Sequence, residues 1–84
     1  MKISRQDYDR QPFAIRAGAL LLWGTPLIGR FRDGHYQQLY SFNNFYAEMY
    51  YEEESQQLTS ISTFEKTHRL EAYLESLSLS ALLE

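Results

Sequence analysis

The stretch HYQQLYSFNNFYAEMYYEEE, residues 35–54, decides the fold of this 84-residue chain. It holds seven of the twelve tyrosines and phenylalanines, and Asn43-Asn44 divides it into two halves. Asparagine tolerates the left-handed backbone of a tight turn, so the stretch predicts a hairpin of strands 35–42 and 45–52. Asp33-Gly34 is the pair that a type I′ hairpin turn favours, which predicts another strand at 27–32.

Strands at 17–23 and 57–64 complete the expected sheet, and the short connections favour an antiparallel meander of four or five strands. Over the last twenty residues the apolar period becomes that of a helix, through Leu70, Tyr73, Leu74, Leu77 and Ala81. A C-terminal helix is therefore predicted from residue 67 to residue 78 or beyond, packed across one face of the sheet. The fold class is α+β in a single domain, residues 1–84; residues 17–64 form its sheet, and residues 1–16 show no clear period.

The two-residue turns determine which residues lie opposite each other, and alternation then assigns each side chain to a face of the sheet. The first face is the expected core beneath the C-terminal helix: Leu27, Phe31, Tyr36, Tyr40, Phe42, Phe45, Met49, Tyr51, Leu58 and Phe64. The second face carries apolar residues with charged neighbours: Ile28, Arg30, Arg32, Leu39, Tyr46, Glu48, Tyr50 and Ile61. Because a solvent-facing side is normally polar throughout, these eight residues are the candidate protein interface.

Three coverings of the second face are compatible with the sequence. The N-terminal segment can fold across it through Tyr8, Phe13 and Ile15, a second copy of the chain can bury it in a homodimer, or a different protein can bind there. The expected function is accordingly a small protein–protein interaction module: an inhibitor, an immunity-type protein or a subunit of a complex. Its partner is another protein or the chain itself.

Nucleic-acid binding is the alternative function, because sheet-based RNA binders stack bases on exposed rings. Tyr46 and Tyr50 would supply the rings on the second face, and Arg30 and Arg32 would contact phosphates. The charge balance opposes this alternative, since the chain has a net charge of −3. The charge is also uneven: residues 1–35 hold six Lys and Arg against three Asp, and residues 36–84 hold two against eight Glu.

Residues for catalysis or metal binding are sparse. The chain has no cysteine, and His35 and His68 lack the spacing of a zinc motif. No serine lies in a nucleophile context and no Gly-rich loop follows a strand, so we expect no enzyme activity and no cofactor. The apolar run AGALLLWGTPLIG is too short for a bilayer span, and Asp7 and Asp9 before it argue against a signal peptide. A cytoplasmic protein without a membrane partner is expected.

The segment LLLWGTPLIGRFRDGHYQQLYSFNNFYAEMYY, followed by SISTF and LEAYLESL, resembles a family of short uncharacterised bacterial proteins. Their pattern has a "G…Y…LY" strand, a tight turn, an "FYVEVYY" strand, a strand ending in Phe and a helix with "LE-x-YL". The resemblance implies a sheet-plus-helix fold and carries no known function. This chain departs from it at Asn43-Asn44, where an Asp-Gly-like turn is usual, at Gly24-Thr25-Pro26, and in its first sixteen residues.

Overall fold

The computed structural model describes residues 2–65, 67–71 and 73. Within them the chain forms two helices, then four strands, then one turn of 3₁₀ helix. The bounds are α1 Arg5–Asp9, α2 Phe13–Trp23, β1 Thr25–Arg32, β2 His35–Phe42, β3 Phe45–Glu52, β4 Leu58–Phe64 and a 3₁₀ helix at Thr67–Leu70. No helix in this described part has the length and apolar character needed to cross a bilayer.

The four strands form an antiparallel meander in the order β1-β2-β3-β4, which confirms the α+β class and a four-stranded sheet. Both predicted turns are present: Asp33 and Gly34 have φ of 52° and 77°, and Asn43 has φ of 52°. The β2–β3 register is the predicted one, from His35 opposite Glu52 to Phe42 opposite Phe45. Turn chemistry is local, and this explains why the central hairpin was predictable.

Residues 17–23 are helical, so the predicted first strand is wrong. They form the second half of α2, which begins after Pro12 and ends where the Gly24 amide donates to the Leu20 carbonyl at 2.9 Å. The segment FAIRAGALLLW is rich in alanine and leucine, which are the best helix formers, and proline precedes its first turn. A fifth strand is therefore absent from the described part of the chain.

The N-terminal helices cover the first face of the sheet. Tyr8 of α1 and Ala19 and Leu20 of α2 are buried against the first-face side chains Tyr40, Phe42, Phe45, Ala47 and Met49. The Tyr8 ring meets Phe42 edge-on at 5.5 Å between centroids. A Ser4 cap on the Asp7 amide begins α1, and Asp9 accepts a hydrogen bond from the Thr63 hydroxyl of β4 at 2.7 Å. The N-terminal segment thus supplies the cover that was predicted from the C terminus.

The second face is covered by residues after β4. Tyr73 is buried against Leu39 and Phe64, and Leu70, Ile28 and Tyr46 pack around them. The described C-terminal residues therefore lie on the face opposite to the one predicted. The predicted helix 67–78 is represented by the 3₁₀ helix and by helical backbone at Glu71 and Tyr73. Leu74, Leu77 and Ala81 of its apolar stripe lie outside the described residues, and the longer helix stays a prediction.

Two register shifts in the outer strands move residues between the faces. In β1, Pro26 lies opposite Tyr40 and Ile28 opposite Leu39, so Leu27 has no partner and is half exposed. In β4, Leu58 lies opposite Tyr51 and Ser60 opposite Tyr50, which leaves Thr59 as the extra residue. One extra residue reverses the alternation beyond it. Ile61 is consequently on the first face and Phe64 on the second, the reverse of both predictions.

Candidate functional site

The predicted interface on the second face is not an open surface. Leu39 and Glu48 are only 2% and 3% exposed, and the C-terminal residues lie over them. Ile28 and Tyr46 are half buried in the same cluster, where Tyr46 stacks on Phe64 with ring centroids 5.4 Å apart. The packing of the chain on itself thus explains why this face is apolar.

Glu48 is the centre of a polar network beneath the C-terminal residues. Its carboxylate forms an ion pair with Arg69 and accepts hydrogen bonds from Tyr73 Oη at 2.6 Å and Tyr50 Oη at 3.1 Å. Arg69 also donates to Ser62 Oγ at 3.0 Å. Burial, and then the neighbouring Glu48, raise the pKa of both tyrosines, so their hydroxyls stay protonated donors. A carboxylate buried without such partners would cost several kcal/mol, and the network therefore ties the C-terminal residues to β3.

The two predicted interface arginines are placed differently. The Arg30 guanidinium lies 4.6 Å from the centroid of the Tyr73 ring and donates to Gln37 Oε1 at 2.7 Å. Arg32 is exposed at the end of β1, 3.5 Å from the carboxylate of Asp33. The structure therefore brings Ile28, Arg30, Leu39, Tyr46, Glu48 and Tyr50 together in one layer of the second face. Arg32 is exposed at the edge of this layer, where it lines a concavity with Tyr50, and Ile61 lies on the first face.

Among the described residues, the large exposed apolar side chains lie on α2 and β1. Leu22 is 73% exposed, Phe31 is 68% exposed and Trp23 is 55% exposed. Ile15, Leu21 and Leu27 are exposed to a comparable degree. Only Ala19 and Leu20 of α2 are fully buried, so the helix presents large apolar side chains to solvent as well as to the sheet. Apolar helices with this pattern are typical of contact surfaces.

A groove of about 550 Å³ runs along α2 and is the first candidate site. Its floor contains Tyr8 and Ala19, and its walls contain Ile15, Leu22 and Trp23. The Tyr8 hydroxyl donates to the Arg16 carbonyl at 2.8 Å and so fixes α1 against α2. Lys2 and Arg16 line the groove as well, and within the described residues neither forms an ion pair with a carboxylate. We call this feature the α2 groove.

A second concavity, about 710 Å³, lies on the first face at the end of the sheet that carries the β1–β2 turn. Four aromatic rings line it, those of Phe31, Tyr36, Tyr40 and Tyr51, together with Gln38, Glu52, Glu53 and Gln56. We call it the aromatic hollow. The sequence placed these rings correctly on one face, but it predicted them as core side chains beneath a helix. In the structure, α1 and α2 pack against the other end of that face.

Neither concavity has the residues of a metal site, and the described part of the chain contains no group of three His, Cys, Asp or Glu side chains that could hold an ion. His35 contacts the Asp33 carbonyl at 3.1 Å through Nδ1. Sequence reasoning missed the α2 groove because it assigned the apolar run to a strand. A signal was available in the four consecutive large apolar residues 20–23. A single helix cannot bury all four on one face, so some of them must be exposed.

Comparison of the chain with protein-family models, with curated proteins and with solved structures found no match. The resemblance to a family of short bacterial proteins stays a prediction.

Proposed function

We propose that the protein is a small protein–protein interaction module that binds through the α2 groove. The partner is another protein, which presents an apolar segment flanked by carboxylates. The exposure of Leu22, Trp23 and Ile15 along one groove is the observation that carries the proposal. The proposal includes neither enzyme activity nor a cofactor, and it places the protein in the cytoplasm.

The apolar residues support a protein rather than a small polar ligand as the occupant. Most of the Leu22 side chain and about half of the Trp23 side chain are exposed to water, and both residues line the groove. Burying such a side chain in a partner contributes about 1.5–3 kcal/mol. An apolar helix or strand laid along a groove recovers this contribution from several side chains at once, as in helix-in-groove recognition.

The charges support an acidic partner. Arg16 Nε donates to the Gln11 carbonyl at 3.0 Å, and the guanidinium lies 5.5 Å from the centroid of the Phe13 ring. Lys2 is also part of the lining. With no carboxylate paired to either cation in the described residues, a carboxylate on the partner is the complementary group.

The nucleic-acid alternative requires free ring faces at Tyr46 and Tyr50. Tyr46 stacks on Phe64 within the chain, and the Tyr50 hydroxyl is committed to Glu48. Arg30 lies over Tyr73 in the same layer. These contacts favour the protein-binding proposal, because Tyr46 and Arg30 already have partners within the chain.

The test compares two neighbouring leucines of α2. Leu22 lines the groove, whereas Leu21 is also exposed but is not part of its lining, so Leu21→Glu is a matched control for Leu22→Glu. Wild type is used to capture partners from lysate of the source cells, and a captured protein is then purified and titrated calorimetrically. We expect Leu22→Glu to weaken binding by about 30-fold and Arg16→Glu by about 5- to 10-fold. Leu21→Glu should stay within about threefold.

Circular dichroism of each variant verifies that the fold is intact. The proposal is overturned if wild type captures no protein, or if Leu22→Glu captures the same protein as wild type. It is equally overturned if both leucine variants weaken binding to the same extent. It is also overturned if light scattering shows a wild-type dimer that Leu22→Glu dissociates, because the occupant is then a second copy of the chain.

A further inference from the structure

The aromatic hollow is a separate feature from the α2 groove and has different chemistry. Phe31 and Tyr36 have ring centroids 5.0 Å apart, and Tyr36 and Tyr51 have centroids 6.3 Å apart. The three rings therefore form a continuous wall, with the Tyr40 ring also in the lining. Aromatic faces carry negative electrostatic potential and attract cations within about 6 Å of the ring centroid.

The Tyr36 ring is held in place by its neighbours. Its hydroxyl donates to Gln38 Oε1 at 2.7 Å, and Gln38 Nε2 donates in turn to the Ile28 carbonyl at 3.2 Å. The ring lies over Gly29, where any Cβ would overlap the hydroxyl and the ring. A ring that is already oriented loses little conformational entropy when a ligand binds, so the wall is preorganised.

The rim of the hollow is acidic. Glu52 and Glu53 line it, and Glu54 follows in the same loop. None of these three carboxylates has an ion-pair partner among the described residues. The local excess of negative charge lies beside the aromatic wall and attracts cations to it.

We propose that the aromatic hollow binds a small organic cation of the quaternary or methylated ammonium class. Such a cation is weakly hydrated and apolar at its surface, so it can leave water for ring faces, whereas a metal ion needs oxygen or nitrogen ligands. The ring wall selects the methylated head, and the glutamates select positive charge. The remaining volume of the open hollow accommodates a substituent on the nitrogen.

The probes are tetramethylammonium, choline and 3,3-dimethylbutan-1-ol, the neutral carbon analogue of choline. Each is titrated into the full chain and followed by aromatic and amide NMR shifts. We expect saturable shifts at Phe31, Tyr36 and Tyr51 with a dissociation constant on the order of 1 mM for the two cations. The neutral analogue should bind about fivefold more weakly, because it has the shape without the charge.

Phe31→Leu is the decisive variant, because Phe31 is the most exposed ring of the wall and its loss leaves the core intact. It should weaken cation binding by about 5- to 10-fold, and Phe13→Leu, at another exposed phenylalanine, should leave it unchanged. Glu53→Gln should weaken binding by about two- to threefold at low salt.

Three outcomes would each overturn the proposal. They are the absence of saturation up to about 50 mM cation, equal affinity for the neutral analogue, and unchanged affinity in Phe31→Leu. Equal affinity for the neutral analogue would make the feature a purely apolar hollow. The proposal is independent of the α2 groove: Leu22→Glu should leave cation binding unaltered, and Phe31→Leu should leave capture of the protein partner unaltered.

Discussion

Two glycines of this chain have opposite surroundings. Gly29 lies in β1 directly beneath the Tyr36 ring, and a methyl group there would overlap that ring. Gly18 lies in α2, and a Cβ built on it meets nothing within 4 Å. The first glycine is needed for packing at the aromatic hollow, whereas the second one only lowers the helix propensity of α2.

Substituting each glycine by alanine should therefore change stability in opposite directions. Gly29→Ala should lower the free energy of unfolding by about 1–3 kcal/mol, because Tyr36 must leave its position. Gly18→Ala should raise it by about 0.5–1 kcal/mol through helix propensity. Urea denaturation of the two variants measures both values. A stable Gly29→Ala variant with unshifted Tyr36 resonances would show that the ring does not lie over the glycine.

The two outer strands of the sheet differ in how well they are protected against pairing with other chains. The β1 strand contains Pro26, a bulge at Leu27, and the charged residues Arg30 and Arg32. All three devices discourage edge-to-edge association. The β4 strand, LTSISTF, contains neither a charge nor a proline, although it has an extra residue of its own at Thr59. Its central residues TSIST, 59–63, read the same in both directions, so antiparallel pairing about Ile61 would place Ser60 opposite Ser62 of a second copy.

We expect weak self-association of the wild-type chain through β4 at high concentration. Ser60→Lys should reduce the association constant by about tenfold, because two lysines would lie diagonally across the pair and their charges repel. Gln57→Lys adds the same charge in the preceding loop and should have little effect. Sedimentation equilibrium over a range of concentrations measures both. Equal association of the two variants, or a wild type that stays monomeric at every concentration, would exclude pairing through β4.

Over the whole molecule, a buried tyrosine anchors each of the two coverings of the sheet. Tyr8 fixes the N-terminal helices on the first face through the Arg16 carbonyl, and Tyr73 fixes the C-terminal residues on the second face through Glu48. Burial raises the pKa of Tyr8 and Tyr73, and in the same direction the pKa of Tyr40, Tyr50 and Tyr51. The fold therefore depends on neutral phenols in both layers.

This dependence predicts alkaline unfolding. Below about pH 10 the tyrosines are neutral in both states, and they make no pH-dependent contribution. Above about pH 10 the tyrosines of the unfolded chain lose their protons, whereas the buried tyrosines of the folded state keep theirs. The folded state then binds more protons than the unfolded chain, so its stability falls as pH rises. The slope should approach about 1.4 kcal/mol per pH unit for each buried tyrosine. Urea denaturation across this range, with tyrosinate absorbance, measures the slope, and Tyr73→Phe should reduce it. A flat profile above pH 10 would contradict the prediction.

The central hairpin was predictable from sequence because its determinants are local. Asp33-Gly34 and Asn43 take the left-handed conformations that their residue types allow, and alternation from those turns placed β2 and β3 in the correct register. The outer strands were less predictable, because the extra residues Leu27 and Thr59 have no composition signal that marks a bulge. Thr59 moved the side chains that follow it to the opposite face, whereas Leu27 lost its own partner and left the residues after it in the predicted register.

The sequence by itself determined an antiparallel meander, its two turns and the residues that face each other across the central hairpin, since all of these depend on near neighbours along the chain. Tertiary structure alone decided that the N-terminal segment covers the first face, and that Tyr73 and Arg69 enclose Glu48 on the second. Periodicity identifies the apolar side of an element, but which face of the sheet receives that side depends on contacts between residues distant in the sequence. The same packing leaves the α2 groove and the aromatic hollow exposed, and with them the surfaces available for binding.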